Sequence, residues 1–286
     1  MPIIEAGNAE LRKLKGLHLW HGGLSNCSQR CRIVLSKLGL SYESNLVNLQ
    51  AAEHATKEFH ELNPSGVIPV LVHDGTVIVN SVDIIAYLEQ HFGDGSLRPA
   101  QFEDKIIELL ERCDKSQLAL KYCTFEFLFQ HGPRPSEETF QQLMNGLESE
   151  WLRDFHKEYR AGFSRERIHS MVGLAHEDFL FCENILADGR PYLAGDSFTL
   201  ADIAWMPNFH RFDLLRWPLQ NYTKAYNWFE RVTQLDCYKE ALQDWEPQPL
   251  FDVAFPVLDQ RRADNDGIDS YGPLKGFSTN KREDNK

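Results

Sequence analysis

The chain has 286 residues, with 30 basic against 42 acidic side chains and a formal charge of −12. Apolar residues make up 42% and charged residues 25%, an ordinary globular composition that excludes the disordered and membrane-embedded classes. At roughly 150 residues per domain, one or two domains are expected, and an acidic chain without a long basic cluster is a poor binder of a phosphate backbone, so nucleic acid is not an expected partner.

No apolar run approaches the ~18 residues of a membrane helix. Residues 1–16 carry Glu5, Glu10, Arg12, Lys13 and Lys15 with no apolar stretch, and they read as an extension rather than a secretory signal. The six cysteines, at 27, 31, 113, 123, 182 and 237, form no CxxC and no disulfide framework. Neither cysteine spacing nor an HExxH offers a zinc site, so no metal is expected. A reducing cytoplasm fits these thiols.

In chain order, Leu17–Trp20 reads as a strand. Ser28–Leu38 carries Ile33, Val34, Leu35 and Leu38 on a helical stripe that stops at Gly39. Tyr42–Leu49 reads as a strand and Ala55–Leu62 as a short helix. Ile68–His73 and Val77–Val79 flank Asp74-Gly75, a hairpin signal. Ser81–Phe92 is an amphipathic helix. A crossover helix implies parallel strands and the hairpin adds an antiparallel pair, so residues 17–95 form a small mixed sheet with helices on its faces.

Beyond Gly93-Asp94-Gly95 the pattern becomes helical throughout. Phe102–Phe129, Glu137–Tyr159, Arg165–Leu186 and Leu200–Leu215 are the strongest helices, separated by breaks at residues 131–136 and 188–191. The reading is thus an α/β domain over 17–95, an all-α domain over 102–245 and a tail over 246–286. The tail holds Pro247, Pro249 and Pro256 and wraps the surface or frays.

Three features of the first domain carry chemistry. Leu24-Ser25-Asn26-Cys27-Ser28-Gln29-Arg30 is a polar turn before a helix. Its hydroxyls cap that helix, and the unpaired N–H groups of a helix start form an anion site that would stabilise a thiolate. The same turn nearly matches a G-x-S-x-G nucleophile elbow, but Cys27 replaces the last glycine and too few strands precede it for a serine hydrolase. Asn63-Pro64-Ser65-Gly66-Val67-Ile68-Pro69 opens a strand on proline, and a cis Ile68–Pro69 bond would leave the Ile68 backbone free to pair with an extended peptide. Asn80-Ser81 precedes a helix, where Ser81 is an N-cap whose hydroxyl can hold a carboxylate.

Taken together, S-N-C-S-Q-R, N-P-S-G-V-I-P and N-S-V-D-I-I-A-Y-L resemble the glutathione transferase superfamily. Residues Pro191 to Asp202 resemble the family's "FLxGDxFSxAD" signature, physically a capping box of Thr199 and Asp202. The resemblance implies a thioredoxin-like domain that binds glutathione, followed by an all-helical domain that supplies the second-substrate pocket. Carried across, Ser25 matches the thiolate-activating serine, with Ser28 as competitor and Cys27 as a possible thiol by its similarity to the zeta-class S-S-C-S. Ile68, with Pro69 cis, would pair with the cysteinyl backbone, flanked by Val67 and Asn26. Ser81 with Asn80 would hold the γ-glutamyl carboxylate and His54 the glycyl end. Asn80 stands where the family has Glu or Gln, and Ala55 where it has Lys.

Physically such a site suffices. A thiol of pKa about 8.5 is a few per cent ionised at neutral pH. One hydrogen bond to the charged sulfur and a helix N-terminus together lower that pKa by about one to three units.

The helical domain is longer than in most relatives, with excess in Gln130–Arg165 and after Trp245. In this respect the chain is similar to bacterial glutathione-dependent β-etherases of lignin breakdown, which displace an aryloxide. Glutathione-dependent dehalogenases and other transferases are the alternative, and a non-catalytic glutathione binder is the alternative of a different class. Tyr122, Phe125 and Phe129 share a helix face and are pocket candidates with Trp205 and His210, unless they are core. A homodimer is implied by the resemblance alone.

Overall fold

The computed structural model describes residues 3–4, 7, 9–130, 132 and 134–275. The first domain runs β1 (Ile3–Ile4), β2 (Leu17–His21), α1 (Asn26–Lys37), β3 (Glu43–Leu46), α2 (Lys57–Leu62), β4 (Val70–His73), β5 (Thr76–Val79) and α3 (Ser81–Phe92). Its sheet has the order β1-β5-β4-β2-β3. Only β2 and β3, joined by the α1 crossover, run parallel; β4 is antiparallel to both β2 and β5. The β4–β5 turn needs two left-handed residues, and Asp74 (φ 46°) and Gly75 (φ 81°) supply them. Alternation along the strands sends Leu17, Leu19, Leu71 and Ile78 to the face under α1 and α3. Val70, Val72 and Val77 point the other way, onto Phe59 and Leu62 of α2. This is the thioredoxin-like arrangement.

The extension reading of residues 1–16 needs correction. Ile3 and Ile4 pair with Ile78 and Val77 as an edge strand, and Leu11 is buried beneath the sheet with the α2 cluster. The segment carries too few apolar residues for periodicity to reveal it, and only the exposed edge of β5 makes it a strand.

The second domain holds α4 (Glu103–Lys115), α5 (Gln117–Thr124), α6 (Glu137–Gly146), α7 (Glu150–Ala161), α8 (Arg165–Ile185), α9 (Leu200–Leu214), α10 (Thr223–Val232), α11 (Asp236–Ala241) and α12 (Gln248–Ala263). Two expected helices are broken. The first stops at Ser116, whose hydroxyl donates to the Cys113 carbonyl at 2.7 Å while Arg30 and Gln117 also bond that carbonyl. Side chains thereby replace the backbone ladder at that point. The helix resumes as α5 and widens into a π-turn over Phe125–Phe129. The second helix splits after Gly146, where Ser149 caps α7 through Leu152 N and Arg153 binds the carbonyls of Leu147 and Glu148.

The tail does not fray where it is described. α12 buries Phe251, Ala254 and Leu258 against the helical domain, and Tyr271 and Leu274 are buried after it. The prolines hid this helix from the sequence reading: Pro249 sits in the first turn, where its missing N–H costs nothing, but Pro256 lies inside the helix, where proline ordinarily argues against one. Residues 276–286, with the KREDNK end, lie outside the described residues.

A single apolar core joins the domains, running from Leu19 and Leu71 through α1 and α3 to Leu200, Met206 and Trp228. At its centre is α9, buried over almost its whole length. Its start is a capping box: Thr199 caps Ala201 N, while Asp202 accepts from Thr199 N at 2.8 Å, Leu193 N at 2.9 Å and Trp228 Nε1 at 2.8 Å.

Candidate functional site

The β2–α1 turn carries the first group. Ser25 is the N-cap of α1, accepting from Ser28 N at 3.3 Å. An N-cap residue turns its oxygen onto the helix start, which leaves its own proton available. Ser25 is half-buried, and that proton meets no acceptor among the described residues. The N–H groups of Asn26 and Cys27 likewise have no partner there, so two orphan donors and one hydroxyl converge at the positive end of a twelve-residue helix.

Ile68 comes up against this turn. A Cβ placed on Gly22 would lie 2.9 Å from Ile68 Cδ1 and 3.6 Å from Ser25 Cβ, so Gly22 sits between the two segments. The Ile68–Pro69 bond is cis, and neither the N–H nor the C=O of Ile68 has a hydrogen-bond partner among the described residues. A donor and an acceptor on one residue, beside a helix N-terminus, suit the backbone of a short extended peptide. Val67 is 40% exposed beside it, and its carbonyl is held by Asn63 Nδ2 at 2.7 Å.

The other expected residues divide. Ser28 is fully buried and its hydroxyl accepts from Gly22 N at 3.2 Å, so it braces the turn from inside. Cys27 is half-buried and its thiol faces Gln117 Oε1 at 3.7 Å, toward the helical domain. Asn26 points away from the Ile68 side, donating to the Pro207 carbonyl at 2.7 Å. The capping role assigned to Ser81 belongs to Asn80, which accepts from Val82 N at 3.0 Å with φ 68°; asparagine tolerates that left-handed backbone. Ser81 is the first helical residue and is buried, its oxygen accepting from Arg30 Nη1 at 3.1 Å. Because that oxygen is occupied as an acceptor, the Ser81 hydroxyl is left as a donor.

His54 sits in the loop before α2. Burial, then the nearby Lys121 ammonium and His60, push its imidazole down to about 4, and its buried Nδ1 has no partner among the described residues. The loop is held by the second domain's insert: Ala52 and Ala55 pack on Leu143, Leu147 and Leu152 of the α6–α7 segment. A Cβ on Gly146 would run into the Ala55 carbonyl, so the glycine permits this close approach. The insert thus spans from the helical domain to the loop that carries His54.

The pocket candidates require correction. Trp205 is core, its indole bonded to the Leu109 carbonyl at 3.0 Å. His210 is core as well, held between Tyr238 Oη at 2.7 Å and Glu246 Oε1 at 3.1 Å. Both lie on α9, whose burial on all sides leaves no face for a ligand. Tyr122 is buried, donates to Glu158 at 3.0 Å and lines an outer groove of about 270 Å³ with Leu118, Trp151 and Arg167. Phe125 and Phe129 join an aromatic stack with Phe155 and Tyr159 at 4.9–5.2 Å. They remain half-buried beneath the insert.

Sequence reasoning missed three charged or polar groups near the site. Arg30 lies under Ser81, fully buried, and bonds the carbonyls of Ala204 and Cys113. Lys121 and His156 face His54 from α5 and α7. A charged residue on an otherwise buried helix stripe was the available signal: Lys121 is four residues from both Gln117 and Phe125.

This geometry of a serine-capped turn, a cis-proline strand entry and an asparagine-capped α3 fits the matches to known proteins. The N-terminal domain model of glutathione S-transferase matches residues 24–91 and the C-terminal domain model residues 150–231. The chain belongs to the glutathione S-transferase family. A glutathione S-transferase of Arabidopsis thaliana is 24% identical over 238 residues, covering 82% of this chain and 93% of the relative. One from Dianthus caryophyllus is 42% identical over 91 residues, which span 32% of this chain and 41% of that relative. Among solved structures, the β-etherase LigF of Sphingobium sp. strain SYK-6 is similar with a TM-score of 0.69 at 24% identity, covering 79% of this chain and 98% of that one. A Drosophila melanogaster glutathione transferase gives 0.63 at 21%, covering 84% and 97%.

No helix among the described residues is long and apolar enough to cross a membrane. All six cysteines are free, and among the described residues no three His, Cys, Asp or Glu side chains converge as a metal site.

Proposed function

We propose that this glutathione transferase binds glutathione along Ile68 and at the start of α1, and uses its thiolate to displace an aryloxide from an aromatic β-aryl ether. The observation that carries the reading is the free Ser25 hydroxyl and the unpaired Ile68 backbone groups, on two residues that both lie beside Gly22. Ser25 donates to the sulfur and favours its anion, and the orphan N–H groups of Asn26 and Cys27 add the helix-end potential. Ser81, with Arg30 behind it, donates to the γ-glutamyl carboxylate, and Asn80 stands exposed beside it.

Attack forms a carbon–sulfur bond while the carbon–oxygen pair leaves with the aryloxide. The protein contributes an ionised, oriented nucleophile. Two features favour an aryl ether over a small halide: the aromatic cluster of Phe125, Phe129 and Phe155 beneath the insert, and a fold shared with a β-etherase. The homodimer and the cytoplasmic setting implied by the family resemblance go with this reading.

The test is incubation with glutathione and a β-aryl ether ketone, with chromatography of the products. Release of the free phenol, matched by loss of thiol, is expected. Glutathione-saturated protein that releases no phenol refutes the ether reaction.

A further inference from the structure

One lysine of the helical domain packs its ammonium on aromatic rings. Among the described residues Lys121 makes no ion pair and no hydrogen bond, whereas its ammonium lies 5.0 Å from the Phe155 ring centre, 5.6 Å from Trp151 and 5.9 Å from Phe125. Its place is set by α5. Gln117, one turn earlier, receives the Cys27 thiol of the α1 start, and Phe125 lies one turn later. Lys121 therefore faces the gap between the glutathione turn and the insert.

The groups around it are held neutral. His54 approaches from the glutathione domain and His156 from α7, and each is near enough for the ammonium to oppose its protonation. Burial, with the Lys121 charge and then His54 adding, pushes His156 down to about 3. Among the described residues no carboxylate pairs with the ammonium, although Asp154 and Glu158 line the outer groove beside Trp151 and Phe155; Cys27 on α1 is the acidic group that acts on it. Burial also pulls Lys121 itself down to about 8, so it is largely charged at neutral pH yet able to release its proton.

An unpaired cation in an aromatic cage beside a thiolate site is matched to a negative charge that arises there. We infer that Lys121, flanked by His54 and His156, forms an oxyanion subsite that receives the departing aryl oxygen. This inference rests on the proposed reaction for its role in turnover, but binding of an aryloxide can be read separately. As the carbon–oxygen bond breaks, its electron pair goes to oxygen. Lys121 donates a hydrogen bond and then a proton, releasing the phenol, and the neutral amine recovers a proton from water.

The experiment uses the full chain saturated with glutathione, with Lys121→Met and Lys121→Arg beside it. The probe is para-nitrophenolate, whose visible absorbance reports the bound anion. Wild type is expected to bind it saturably as the phenolate, Lys121→Arg to retain it, and Lys121→Met to weaken it about tenfold or more, the worth of one charged hydrogen bond. Equal affinity in Lys121→Met, or no saturable binding to wild type, overturns the subsite.

In turnover, Lys121→Met should slow aryl ether cleavage about a hundredfold, as loss of a general acid does, while chloride displacement from chlorodinitrobenzene and glutathione affinity stay near wild type. Parallel loss of both rates, or an unchanged ether rate, makes Lys121 structural and sinks its role. A wild type that binds nitrophenolate through Lys121 but cleaves no ether refutes the reaction and leaves the subsite standing.

Discussion

Replacing Ser25 by Ala separates two jobs that one oxygen performs. As a cap, Ser25 accepts from Ser28 N at 3.3 Å, and losing a capping oxygen costs about 1 kcal/mol of folding stability. As an activator, its proton would bond the glutathione sulfur. A hydrogen bond to a charged group is worth about 1.5–3 kcal/mol, and at 1.36 kcal/mol per unit its loss raises the bound thiolate's pKa by about one to two units. The orphan N–H groups of Asn26 and Cys27 remain, so some depression survives. Thiolate absorbance near 240 nm, followed against pH in the protein–glutathione complex, reads the second effect, and urea unfolding reads the first. Ser28→Ala is the control. It strands the buried Gly22 N–H at a cost of about 1–3 kcal/mol but should leave the thiolate pKa in place. An unchanged thiolate in Ser25→Ala, or the larger shift in Ser28→Ala, refutes the assignment.

Four further outcomes are expected. Asp202→Ala removes an acceptor shared by three buried N–H groups and should cost roughly 3 kcal/mol or more in urea unfolding, with activity per folded molecule retained; a loss of activity without a loss of stability would contradict a purely structural box. Gly146→Ala drives a methyl into the Ala55 carbonyl, so limited proteolysis should cut the insert faster than in wild type, and an unchanged pattern would deny that close approach. Acid stability follows from His21 and His54, which burial holds near 4, and His156, held near 3. The unfolded chain binds these protons first, so stability is whole above about 6.5 and falls as the pH drops through 6.5 toward 4. Lys121→Met removes a neighbouring cation, so NMR titration should find His54 and His156 shifted upward; unmoved values would place Lys121 elsewhere.

What the sequence determined by itself were the local features. The Ser25 turn, the Ile68–Pro69 entry, the Asp74-Gly75 hairpin and the Thr199–Asp202 box each rest on a few adjacent residues whose caps and dihedral preferences do not depend on the rest of the chain. The alternation of an α/β and an all-α region was legible for the same reason, since periodicity is local. Tertiary structure alone decided the rest. β1 is a strand only because β5 offers it an edge. The helix expected over 102–129 breaks at Ser116 because Arg30, far away in sequence, shares the Cys113 carbonyl. Trp205 and His210 are spacing-compatible with a pocket but lie on α9, which packing encloses on all sides. The histidine–lysine cluster is nonlocal: His54, Lys121 and His156 come from three elements, and only the fold of the insert onto the loop before α2 turns three separate side chains into one electrostatic cluster.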